Sequence, residues 1–126
     1  MSSRQRIRIL VVDDIVDVRE MLTMFLTHAG FQVTSAESAC EALQAANDRS
    51  FDLIISDVGM PQMNGFELAT RLRQLSRYKD VPMIAVTGYS EYEDGERALQ
   101  SGFTAQFVKP IDPSQLVTLI EELLGL

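Results

Sequence analysis

Five short apolar runs punctuate this chain, and a longer stretch with helical spacing follows each one. The expected strands built on them are Ile7–Val12, Phe31–Thr34, Phe51–Ser56, Val81–Val86 and Ala105–Val108. Segments this short, rich in β-branched and aliphatic residues and separated by helical patterns, read as parallel strands covered on both faces. After the first run, Val18, Met21, Leu22, Phe25, Leu26 and Ala29 keep helical spacing and stop at Gly30, a residue suited to a helix C-terminus. Glu37–Asn47 is an Ala-rich second helix for which Ser35 is the expected cap. Phe66–Leu75 and Glu91–Ser101 read as the third and fourth helices, and Asp112 caps a fifth that carries Leu116, Leu119, Ile120 and Leu123. Pro82 stands near the start of its strand, where proline is tolerated, and Met60-Pro61 and Asn64-Gly65 mark a loop. Five βα units in succession make an α/β doubly wound sheet, and the length of 126 residues suits one domain over 1–126 with a single core.

In an open parallel sheet, ligands bind at the carboxyl ends of the strands. Here those ends carry charge. The first run stops at Asp13-Asp14, the third at Asp57 and the fifth at Lys109-Pro110. Three carboxylates and one ammonium would converge, and crowded carboxylates repel unless a proton or a hard cation separates them. The expected cation is Mg²⁺. Each aspartate alone is as readily an ordinary loop residue; the combination carries the reading.

Bulk properties exclude several classes. The formal charge of −7 argues against direct nucleic-acid binding, which calls for a basic face. Arg4, Arg6 and Arg8 interrupt the opening apolar residues, so no secretory signal is read there. No apolar run approaches the roughly 20 residues of a membrane span. The one cysteine, Cys40, cannot form an intrachain disulfide, suits a reducing cytoplasmic setting and is expected to be a small packing residue. His28 reads as a helix-end surface residue, and Met21, Met24, Met60, Met63 and Met83 as core filler or loop anchors.

Taken together, Asp13-Asp14, Asp57 with Met60-Pro61 and Asn64-Gly65, Thr87-Gly88 and Lys109-Pro110 resemble the receiver domain of two-component response regulators. The resemblance covers essentially the whole chain, in order and at the family's spacing. It implies a flavodoxin-like five-stranded sheet in the order 2-1-3-4-5 with five helices. It implies that Asp57 accepts a phosphoryl group from a phosphohistidine, in a signalling domain that catalyses its own phosphorylation and dephosphorylation. Asp14 would bind Mg²⁺ directly, Asp13 mainly through a metal-bound water, and Gly59 through its backbone carbonyl. Lys109 would neutralise one phosphoryl oxygen and the Thr87 hydroxyl would donate to another. The implied partner is a sensor histidine kinase or a histidine phosphotransfer protein, and the family allows a homodimer through the face of the fourth and fifth helices. A cis Lys109–Pro110 bond is also implied.

One position departs from the family pattern. Three residues before the lysine, receivers commonly carry Tyr or Phe; this chain has Gln106. Phe107 should face the other side of the sheet and cannot replace it. The chemistry is untouched, but readout through the fourth helix and fifth strand is expected to weaken. Tyr89 is expected at the rim of the site or as a plain loop tyrosine. Among rivals, a haloacid-dehalogenase-type phosphatase needs a second Asp where this chain has Gly59, and a dinucleotide-binding fold needs a glycine-rich turn in place of Asp13-Asp14-Ile15. A phosphate sink or intermediate relay without an output surface is the alternative within the family. The pattern ends with the last helix, so no output domain is expected within these residues.

Overall fold

The computed structural model describes residues 6–88 and 95–126. Strands β1 (Arg8–Val12), β2 (Gln32–Ala36), β3 (Leu53–Asp57), β4 (Met83–Thr87) and β5 (Ala105–Val108) form one parallel sheet in the order β2-β1-β3-β4-β5. The helices are α1 (Val16–His28), α2 (Ala39–Asp48), α3 (Gly65–Arg73), α4 (Gly95–Ser101) and α5 (Pro113–Leu124). This is the expected flavodoxin-like arrangement. Among the described residues no helix is long and apolar enough to cross a membrane.

Alternation along the strands builds two apolar layers. Leu10, Val12, Ile54, Met83 and Ala85 meet Ala39, Ala42 and Ala46 of α2, Leu68 and Leu72 of α3 and Ala98 of α4. Ile9, Val11, Leu53, Ile55, Ile84 and Val86 face the other way, onto Leu22 and Leu26 of α1 and Leu116 and Ile120 of α5. Fully burying each Leu or Ile contributes about 1.5–3 kcal/mol, so the central strands β1, β3 and β4 anchor the sheet. Phe107 packs with the second layer, on the opposite face from Ala85, as the alternation requires.

Several local expectations are corrected. β2 pairs with β1 as far as Val12↔Ala36, so Ser35 is a strand residue. The cap of α2 is Ser38, whose Oγ accepts from the Glu41 N–H at 3.1 Å. The buried stripe of α2 is Ala39, Ala42 and Ala46, which leaves Cys40 exposed rather than packed. Met24 is likewise exposed, on the outer side of α1, while Met60 and Met83 are core. α3 ends at Arg73, and a 3-10 turn at Ser76–Tyr78 follows. The expected start of the fourth helix at Glu91, and Tyr89, lie outside the described residues, among which α4 runs Gly95–Ser101. Asp112 caps α5 as expected, its carboxylate accepting from Ser114 and Gln115, with Pro113 in the first turn.

Candidate functional site

Parallel register brings four strand ends to one edge. Asp13 directly follows β1, and its N–H donates to Ala36 O at 3.2 Å. Asp57 is the last residue of β3 and Thr87 the last of β4; the register pairs Asp57 with Val86 and Thr87 with Val108. Lys109 leaves β5 with its N–H donating to Thr87 O at 2.8 Å, and the Lys109–Pro110 bond is cis. Asp13, Asp57 and Thr87 are buried, at 1%, 5% and 1% exposure, whereas Asp14 is exposed.

The carboxylates converge. Asp13, Asp14 and Asp57 each offer an oxygen, and these atoms lie within 4.8 Å of one another. Lys109 Nζ lies 3.4 Å from Asp57 Oδ1 and 3.9 Å from Asp13 Oδ2. Burial raises the Asp57 carboxyl above its ordinary value and the charge of Asp13 adds to this, while Lys109 and the Gly59 N–H oppose it. Burial likewise raises Asp13, against the pull of the Ile15 N–H and Lys109. One ammonium among three carboxylates leaves the cluster short of positive charge. All-oxygen donors with surplus negative charge are the donor set of a hard dication, so the residues fit Mg²⁺.

Backbone contacts fix these side chains. Asp13 Oδ1 accepts from the Ile15 N–H at 2.9 Å, at the start of α1. Gly59 reaches the site through its backbone, its N–H donating to Asp57 Oδ1 at 3.4 Å. Three further contributors carry no site signal in the sequence pattern. Arg19 Nη1 donates to Asp13 O at 2.8 Å, one helical turn into α1. Asn64 Oδ1 caps α3 by accepting from the Glu67 N–H at 3.0 Å. Next to it, Gly65 lies so close to β3 that a Cβ there would stand 2.5 Å from Asp57 O and 2.7 Å from Val58 Cα. The Asn64-Gly65 pair signalled a loop in the sequence; the close approach needs the tertiary structure. Gln106, noted only as a departure, donates through Nε2 to Thr87 Oγ at 3.0 Å.

Comparison with known proteins agrees with this fold. Residues 9–121 match the response regulator receiver domain family. An uncharacterised 14.6 kDa protein of Leptolyngbya boryana is 42% identical, over 97% of this chain and 93% of that protein. The phosphate regulon transcriptional regulatory protein PhoB of Escherichia coli is 35% identical over 90% of this chain, which spans only 50% of PhoB. Among solved structures, the chemotaxis response regulator CheY4 of Vibrio cholerae superposes with a TM-score of 0.88 at 36% identity, covering 93% of this chain and 98% of that one.

Proposed function

Because the chain belongs to the response regulator receiver family, we propose that it is a phosphoacceptor domain in which Asp57 takes a phosphoryl group from a phosphohistidine. The observation that carries this reading is the approach of Lys109 Nζ to Asp57 Oδ1, at 3.4 Å, beside the Asp13-Asp14 pair. An Asp57 carboxylate oxygen attacks phosphorus, the P–N bond to the donor imidazole breaks, and the imidazole leaves with the electron pair. The product is an acyl phosphate.

A carboxylate and an anionic phosphoryl group repel, so the site must neutralise charge and align the two. Lys109 does part of this as a point charge, and its ammonium also opposes the rise that burial imposes on the Asp57 carboxyl. Asp13, Asp14 and Asp57, with the Gly59 backbone, are the residues that would hold Mg²⁺. When bound, Mg²⁺ supplies the remaining neutralisation of phosphoryl charge. The Thr87 hydroxyl, at the neighbouring strand end, donates to a phosphoryl oxygen.

Incubation with acetyl phosphate and Mg²⁺ should add one phosphoryl mass, and Asp57→Asn should remove that labelling. Equal labelling of the variant would refute the assignment. The physiological donor is a sensor histidine kinase or a histidine phosphotransfer protein, and a phosphotransfer profile against candidate donors separates an output switch from a sink or relay. Self-association through the α4–α5 face belongs to the same reading; sedimentation with and without a phosphate mimic tests it.

A further inference from the structure

Gln106 occupies the place where receivers commonly carry an aromatic ring, and its side chain reaches the site. Its Nε2 donates to Thr87 Oγ at 3.0 Å. Gln106 is in register with Ala85, so its side chain runs diagonally along the same face of the sheet to Thr87, two residues further on β4. Thr87 is buried at 1% exposure and Gln106 partly so, which shields the bond from competing water.

The pairing is directional. An amide N–H can only donate, so Thr87 Oγ engages a lone pair here and keeps its own hydrogen for another acceptor. A hydroxyl that accepts one hydrogen bond is polarised towards donating the next. Threonine is also stiff at χ1, so anchoring its oxygen narrows the directions in which the O–H can point.

We propose that Gln106 is a positioning residue for phosphoryl transfer: its amide holds the Thr87 hydroxyl as a donor to the phosphoryl group on Asp57 and couples β5 to the phosphorylation state by a polar contact. This rests on Asp57 being the phosphoacceptor. The chain of donors then runs from the Gln106 N–H to Thr87 Oγ, and from the Thr87 O–H to a phosphoryl oxygen. Where an aromatic ring would follow the threonine by filling vacated space, the glutamine follows it through a bond.

Beryllofluoride with Mg²⁺, which mimics the phosphoryl group on an aspartate, provides the test by NMR titration. Gln106→Met keeps the length and removes the donor; Gln106→Glu offers only acceptors when ionised. Gln106→Met should weaken beryllofluoride binding about three- to ten-fold, the span of one neutral hydrogen bond. Gln106→Glu should weaken it further, because its carboxylate draws the Thr87 hydrogen away and adds negative charge beside the phosphoryl mimic. In a Thr87→Val background, Gln106→Met should change binding by less than about two-fold, since the mediating hydroxyl is gone. Parent-like binding by Gln106→Met, or an undiminished loss in the Thr87→Val background, overturns the proposal. If the methionine variant does not fold, parent-like binding by Gln106→Glu overturns it instead. A parent protein that neither binds beryllofluoride nor labels with acetyl phosphate sinks the phosphoacceptor reading itself. A parent that does both, with insensitive Gln106 variants, sinks only the role of Gln106.

Discussion

Asp57 illustrates at the scale of one residue how burial and function oppose stability. Its carboxyl is raised from the ordinary value of 3.8, first by burial and then by the charge of Asp13. The folded protein therefore holds a proton there more tightly than the unfolded chain does. Stability from this group is fully present below the ordinary value, declines as pH rises through the raised one, and stays low beyond it. Asp57→Asn removes both the burial cost of the charge and its repulsion with Asp13. Without divalent cation at pH 7 it should melt a few degrees above the parent, and the difference should vanish by about pH 3–4, where carboxylates protonate. Thermal melts across pH check this, and a variant that melts below the parent at pH 7 contradicts it. Gly65 makes the opposite point, because here the backbone sets the constraint. A Cβ at 2.5 Å from Asp57 O cannot be accommodated by a side-chain adjustment, as the obstacle is main chain. Gly65→Ala should cost about 1–3 kcal/mol or more by overpacking and should also slow acetyl phosphate labelling, since it displaces the residue bearing the carboxylate. Normal stability and normal labelling together would show that α3 can shift without disturbing β3.

Between elements, the end of α3 is tied to its surroundings by one side chain that no motif announces. Arg73 Nε and Nη2 donate to Gly102 O at 3.0 and 2.7 Å, and Nη1 donates to Tyr78 O at 2.7 Å and Val81 O at 2.6 Å. The guanidinium thus joins the α3 end, the approach to β4 and the turn before β5. Burial lowers its pKa, with the charge of Asp80 opposing the shift. Gly102, at φ +113, packs against it so closely that a Cβ there would meet Arg73 Cγ at 2.7 Å. Lysine keeps the charge but lacks the planar fork, so Arg73→Lys should destabilise by about 1.5–3 kcal/mol, the range of one lost hydrogen bond to a charged group. Denaturant unfolding measures this, and a change within 0.5 kcal/mol, the scale of an ordinary surface substitution, would mean water replaces the fork at little cost.

For the molecule as a whole, cation binding and folding are linked through the same carboxylates. Mg²⁺ at about ten times its Kd should stabilise the parent by about 1.4 kcal/mol, as any ligand selective for the folded state does. Asp57→Asn, already relieved of repulsion but short of a ligand, should gain less over the same titration. An equal gain in both proteins would place the cation elsewhere.

The fold class and the site were legible in the sequence because both depend on local pattern. Short apolar runs that stop at Asp13, at Asp57 and at Lys109 mark strand termini, and a parallel sheet aligns those termini without further information. Helix ends were legible where the signal was local, as at Gly30 and Asp112. The α2 N-terminus was not, because Ser35 and Ser38 are both competent caps and the choice follows from how far β2 pairs with β1, to Ala36. The end of α2 was legible to within one residue, at Asn47 against Asp48, but not its anchor: the Tyr78 hydroxyl reaches Ala46 O and Arg49 O at 2.7 and 2.6 Å from some thirty residues away. The sequence alone determined which residue types meet at the edge of the sheet. Only the tertiary structure decided that Gln106 faces Thr87, that Gly65 must lack a side chain, and that Arg73 closes three segments at once. Those choices rest on contacts distant along the chain, whose distances and directions no local periodicity encodes.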